Sequence, residues 1–186
     1  QHRTSLGFTM DHQALGAALG AAALNGVPEG GAVLLLDSLP GDNGIRERME
    51  AAKAVLEREG RQARVYKWDP DTTSLPDILR IQRPRAIIAF EAAALADVAE
   101  LSRGEDAFPL LYGCGSTSGI AAALEKGRVT AITAVNVFSA GYLAVEAAAA
   151  LARHEDWTAA APVAFSIVRQ ETMYDSDNQK LLFPVT

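Results

Sequence analysis

Apolar positions along this chain follow two periods in turn. Short unbroken runs, AVLLLD at Ala32–Asp37 and RAIIAF at Arg85–Phe90, lack the polar alternation of a half-exposed strand, which is what strands buried on both faces look like. Between them the spacing turns helical. Asp11 is placed to cap a helix with Leu15, Leu19, Ala22 and Ala23 on its apolar side, ended by Asn25-Gly26. The turn formers SLPGDNG at Ser38–Gly44 lead into a second helix carrying Met49, Ala52, Val55 and Leu56, which stops at Gly60. The unit then recurs as strand Ala63–Trp68, short helix Leu75–Ile81, strand Arg85–Phe90 and helix Ala92–Leu101.

The stretch Phe108–Val145 reads as strand, glycine-rich turn, helix, strand, asparagine-containing turn and helix. The last helix runs on through alanines to about Arg153, and Pro162–Val168 predicts a final strand. Leu6–Met10 reads as an extended lead-in, and Leu181, Leu182, Phe183 and Val185 are expected to pack back on the domain. Strands alternating with helices at this spacing predict an α/β fold: a doubly wound parallel sheet with helices on both faces, residues 1–186 forming one lobe. Gly16 and Gly20 cost helix propensity and imply close backbone packing, for which the sheet is the expected partner.

Composition narrows the function. The 186 residues are 49% apolar and 22% charged, with a net charge of −6 and no lysine or arginine cluster, which excludes a nucleic-acid surface. Cys114 is the single cysteine, so no disulfide within the chain is available. The apolar stretch Gly141–Ala152 is interrupted by Glu146 and shorter than the roughly 20 residues that span a bilayer. Gln1–Thr4 carries no basic region followed by an apolar core, so a signal peptide is expected to have been removed or never to have existed.

Ligands of open parallel α/β sheets bind where strands lead into helices. That rule selects the loops at Asp37–Arg48, Phe90–Ala92, Gly113–Thr117 and Val135–Ser139, and with them Asp37, Arg46, Arg48, Glu91, Ser116 and Asn136 as candidate ligand-binding residues. Arg46 and Arg48 open a helix, where a cation is unhelpful to the dipole. Each is read either as a cleft residue donating to ligand oxygens or as a solvated partner of Asp42, Glu47 or Glu50. Glu91 either accepts ligand hydroxyls or caps the following helix.

Gly113, Gly115 and Gly119 resemble a dinucleotide fingerprint one residue too long, on a late strand; the alternative is a tight turn capped by Ser116 or Thr117. Cys114 lies near a helix start that would favour a thiolate, but His2, His12 and His154 all lie outside the four loops, so a small buried thiol is the competing reading. The histidines show no metal-ligand spacing, and neither metal nor cofactor is expected.

The segments FTMDHQALG, RERMEA, IIAFEAAALA and LEKGRVTAITAVNVFSAGYLAV, with NQKLLFP near the end as in some lipoprotein-type members, resemble the type 1 periplasmic binding proteins. These are the sugar-binding receptors of ABC transporters, whose fold is shared by effector domains of lactose-repressor-like regulators. The resemblance covers nearly the whole chain and is to the second of two lobes. It implies an extracytoplasmic, non-catalytic lobe that binds a sugar or other small polar solute, with an ABC transporter permease or a sensor as partner. It also implies a first lobe that is missing here, to which a segment within 131–153 would normally return.

By position, Arg48 matches the arginine that grips ligand oxygens, with Arg46 beside it, and Glu91 falls where sugar binders carry a polar residue. The family's acidic ligand contact falls on Gly115 or Ser116, and its hinge glutamine on Val135, leaving Asn136 as the nearest polar group. Loss of these two typical contacts counts against a simple hexose or pentose as the ligand. The helix Ser139–Ala152 is apolar on nearly all sides, so the chain is expected to self-associate as a homodimer. A regulator effector domain is the second reading, and a small α/β enzyme using Cys114 a distant third.

Overall fold

The computed structural model describes residues 10–69, 71, 74–105, 107–155 and 163–183, with backbone alone at 137–140. The elements, in order, are α1 (His12–Leu24), β1 (Ala32–Asp37), α2 (Asn43–Arg58), β2 (Gln62–Lys67), α3 (Leu75–Gln82), β3 (Ala86–Ala89) and α4 (Ala92–Leu101). They continue with β4 (Leu110–Cys114), α5 (Ser118–Glu125), β5 (Ala131–Val135), α6 (Val137–Ala152), β6 (Phe165–Arg169) and α7 (Ser176–Leu182). The strands form one sheet in the order β2-β1-β3-β4-β5-β6.

Alternation along the central strands divides the core into two layers. Val33, Leu35, Ile88 and Tyr112 meet α1 and α2 through Leu15, Leu19, Ala52 and Leu56. Leu34, Leu36, Ile87, Leu111 and Ile132 face the other way onto Ile78 of α3, Leu95 and Val98 of α4 and Ile120 of α5. The unbroken apolar runs are thus residues buried on both faces of a doubly wound sheet. The carboxyl side chains of Asp11, Asp42 and Glu91 cap α1, α2 and α4, and Thr117 rather than Ser116 caps α5.

Two expectations are corrected. Strands β1 to β5 are parallel, but β6 pairs antiparallel with β5, from Ala131 opposite Arg169 to Val135 opposite Phe165. Periodicity reports burial and is blind to strand direction. The close neighbour of Gly16 and Gly20 is α2 instead of the sheet. A Cβ at Gly16 would lie 2.0 Å from the Arg48 carbonyl oxygen, and one at Gly20 would lie 2.9 Å from that of Ala52.

Leu181 and Leu182 join the layer below α4 and α5, while Phe183 is half exposed and stacks on Tyr174 with ring centroids 6.3 Å apart. Val185, the lead-in Leu6–Thr9 and the predicted start of the last strand at Pro162 lie outside the described residues. On α6, Tyr142, Val145 and Leu151 are 63%, 69% and 44% exposed, whereas Ala147 and Ala150 are buried. No helix among the described residues is long and apolar enough to cross a membrane.

Candidate functional site

The carboxyl ends of β1, β3, β4 and β5 bring Asp37, Glu91, Ser116 and Asn136 to one edge of the sheet, with Arg48 from the second turn of α2 among them. Arg48 is the organising side chain. Its Nε donates to Nδ1 of His12 at 3.0 Å, Nη1 donates to the Phe90 carbonyl at 2.8 Å, and Nη2 contacts the Met10 sulfur at 3.3 Å. A guanidinium has five N–H donors; beyond these three contacts the Cys114 thiol also bonds the Arg48 side chain, which leaves an Nη N–H for another acceptor. Arg46 points elsewhere: it is more than half exposed and pairs with Glu50 at 4.0 Å, one turn along the helix, an interaction worth at most about 0.5 kcal/mol.

Glu91 spends both carboxylate oxygens on the first turn of α4, accepting from Ala93 N at 2.9 Å and Ala94 N at 2.7 Å. It closes the end of β3 directly beside the Phe90 carbonyl that Arg48 grips. Asp37 is half buried at the end of β1, where its carbonyl accepts from Trp68 N. Asn136 ends β5 and lines a hollow of about 270 Å³ with Phe165, Ser166, Asp177, Lys180 and Leu181. Ser116 is half buried.

Gly115 explains a departure from the family pattern. Its φ of +134° belongs to glycine, and a Cβ there would lie 2.8 Å from that of Ala92 and 2.9 Å from Cδ1 of Ile120. An aspartate at this position would therefore require the turn to be rebuilt, and the next residue able to project a polar group is Ser116.

Cys114 belongs to strand β4, four residues before α5 begins, and its thiol is buried. Burial pushes the thiol above its ordinary range, the neighbouring Thr133 hydroxyl and Arg48 guanidinium draw it back in part, and Glu91 adds to the rise. The result is a protonated sulfur, which removes the nucleophile reading. The raised folded value also has a consequence for stability. Below the unfolded thiol's pKa, about 8.5, both states hold the proton and this group contributes no pH dependence; above it the unfolded chain releases the proton first, so stability falls as pH rises. Between about pH 8 and 10 the urea midpoint should fall more steeply for the wild type than for Cys114→Ala; parallel slopes would contradict the burial of this thiol.

His12 and Met10 were missed at the level of sequence because His12 lies 36 residues from Arg48. A usable signal did exist. His12 and Gly16 are four apart on α1, Gly44 and Arg48 four apart on α2, and each glycine receives the larger partner of the other pair.

The sheet, parallel in four of its five strand pairings, presents a clamped arginine, a capping carboxylate and a glycine turn along one edge. The model of the periplasmic binding protein domain family matches residues 3–156, and the chain belongs to that family. Among solved structures, an ABC transporter solute-binding protein of Agrobacterium vitis with bound D-fucose superposes with a TM-score of 0.82 at 13% identity, over 94% of this chain and 63% of its own. A second from the same organism, with α-D-tagatopyranose, gives 0.84 at 12% identity over 95% and 62%. A carbohydrate transporter solute-binding protein of Agrobacterium radiobacter in complex with D-arabinose gives 0.83 at 17% identity over 94% and 64%. At these identities the likeness is one of fold, and this chain spans less than two thirds of the length of those proteins. All three are named as solute-binding proteins. No curated protein matches the chain in sequence.

Proposed function

We propose that this chain is the C-terminal-type lobe of an extracytoplasmic solute-binding protein, holding a sugar or related polyol at the carboxyl edge of its sheet against a first lobe, for an ABC transporter permease or a sensor. The observation that carries the reading is the Arg48 fork, fixed at the end of β3 with an Nη N–H left for a ligand oxygen. A hydroxyl oxygen accepts a charge-assisted hydrogen bond from such a donor. Family membership and the carbohydrates named for the three similar structures support this ligand class and a place outside the cytoplasm. A lipid-anchored form, as in lipoprotein-type members, belongs to the same reading.

Titration of the chain with D-fucose, D-tagatose and D-arabinose to about 50 mM, followed by amide NMR, is the direct test, since a lone lobe should bind no better than millimolar. Shifts are expected at Arg48, Glu91, Gly115 and Asn136. If those amides stay still with all three sugars, the carbohydrate reading fails.

Because β5 is paired on both sides within this sheet, the part of 131–153 that would face a first lobe is α6. Its exposed Tyr142, Val145 and Leu151 form an apolar surface. Alone in solution the chain should therefore dimerise through it, with a sedimentation coefficient that rises with concentration and Val145→Glu restoring the monomer. A wild-type monomer at every concentration would refute this.

A further inference from the structure

We propose that His12 is a positioning residue of the cleft, acting as a neutral imidazole whose Nδ1 lone pair fixes the Arg48 fork. This rests on the reading of Arg48 as a ligand anchor.

An arginine side chain only donates hydrogen bonds, so the 3.0 Å contact from Arg48 Nε requires a lone pair on Nδ1 of His12. The ring is therefore neutral, with its proton on Nε2. An imidazolium would set one N–H against another. The ring's place is built from both helices. Asp11 accepts from Ala14 N at 2.8 Å and so fixes His12 as the first residue of α1. On α2, Gly44 leaves room for the imidazole, since a Cβ there would lie 2.8 Å from both Cε1 and Nε2. One turn further along each helix the exchange is reversed: Gly16 admits the backbone of Arg48. His12 with Gly16, and Gly44 with Arg48, form an interlocked pair of i, i+4 couples that sets helix α1 against α2 at the separation the Nε–Nδ1 bond needs.

The chemistry follows from where the tethers act. The Phe90 carbonyl and Met10 sulfur each take one Nη nitrogen, the Cys114 thiol also bonds this side chain, and an Nη N–H remains for a ligand oxygen. His12 alone takes Nε, the nitrogen nearest the aliphatic stem. Removing it lets the guanidinium plane rotate, so the remaining N–H no longer points in one fixed direction. A pre-aimed fork loses less rotamer freedom on binding, which is where the gain in affinity arises.

The test uses His12→Leu, which removes the acceptor, and His12→Asn, whose amide oxygen stands near the place of Nδ1. Without ligand, the Arg48 Nε–H NMR signal should exchange slowly with water in the wild type and in His12→Asn, and fast in His12→Leu. In titrations with D-fucose, D-tagatose and D-arabinose, His12→Leu should weaken binding about tenfold and His12→Asn less than about threefold, with no further loss from His12→Leu in an Arg48→Ala background. Equally slow Nε–H exchange in His12→Leu overturns the proposal, as do fully additive losses in the double variant. Should none of the sugars bind the wild type, the carbohydrate reading falls, and the exchange measurement still decides whether His12 positions Arg48.

Discussion

Gly16→Ala is expected to lower the melting temperature by roughly 10 °C, corresponding to about 3 kcal/mol for a domain of this size. The added methyl would sit 2.0 Å from the Arg48 carbonyl oxygen and 2.6 Å from its Cα, atoms of helix backbone that cannot swing aside. Helix α1 must then lift from α2, opening the layer made by Leu15, Leu19, Ala52 and Leu56. Gly20→Ala should cost less, since the nearest backbone oxygen there is 2.9 Å away. Gly119→Ala is the control. Nothing lies within 4 Å of a Cβ at that position in α5, so helix propensity should make this variant equal to the wild type or up to about 1 kcal/mol more stable. Thermal unfolding of the three variants reads the order directly, and a Gly16→Ala protein as stable as Gly119→Ala would show that the two helices do not meet as described.

The second large effect concerns ligand affinity and separates two neighbouring arginines. Arg48→Ala removes a charged donor at the cleft edge, worth about 1.5–3 kcal/mol, so binding of whichever of the three sugars responds should weaken by about ten- to a hundredfold. Arg46→Ala removes only the exposed 4.0 Å pair with Glu50 and should change affinity by less than about threefold. Arg48→Lys should resemble the alanine variant more than the wild type, because a single ammonium cannot serve the Phe90 carbonyl, His12 and a ligand with the geometry of a planar fork. Equal losses at the two arginines in calorimetric titrations would mean that the fork is not the anchor. The stability of Arg48→Ala should be measured alongside, since the substitution leaves the Phe90 carbonyl without its donor.

These two predictions meet at one contact. The backbone of Arg48 is what Gly16 admits, and the side chain of Arg48 is what His12 holds, so the packing of α1 on α2 and the aim of the cleft arginine are set together. A destabilised α1 should therefore weaken binding through Arg48 as well as lower the melting temperature.

The candidate site was legible in part. Arg48, Glu91, Asp37, Ser116 and Asn136 could be placed at one edge from strand order alone, because every parallel strand delivers its following loop to the same side of the sheet. What each side chain does there was another matter. Glu91 is engaged by two amides of its own helix, Arg46 by the residue one turn on, and Arg48 by His12, Phe90, Met10 and Cys114 from elsewhere in the chain.

By itself the sequence determined the succession of βα units, the strands buried on both faces and the cap at Asp11, while leaving Glu91 open between cap and ligand contact and the cap of α5 open between Ser116 and Thr117. Those features rest on period and on contacts within a few residues, which the order of side chains states directly. Tertiary structure alone decided that Gly16 and Gly20 face a helix, that β6 runs against β5, that an aspartate has no room at residue 115, and that His12 meets Arg48. Each of these depends on which distant segment lies alongside, and an apolar period specifies how much surface must be covered without specifying what covers it.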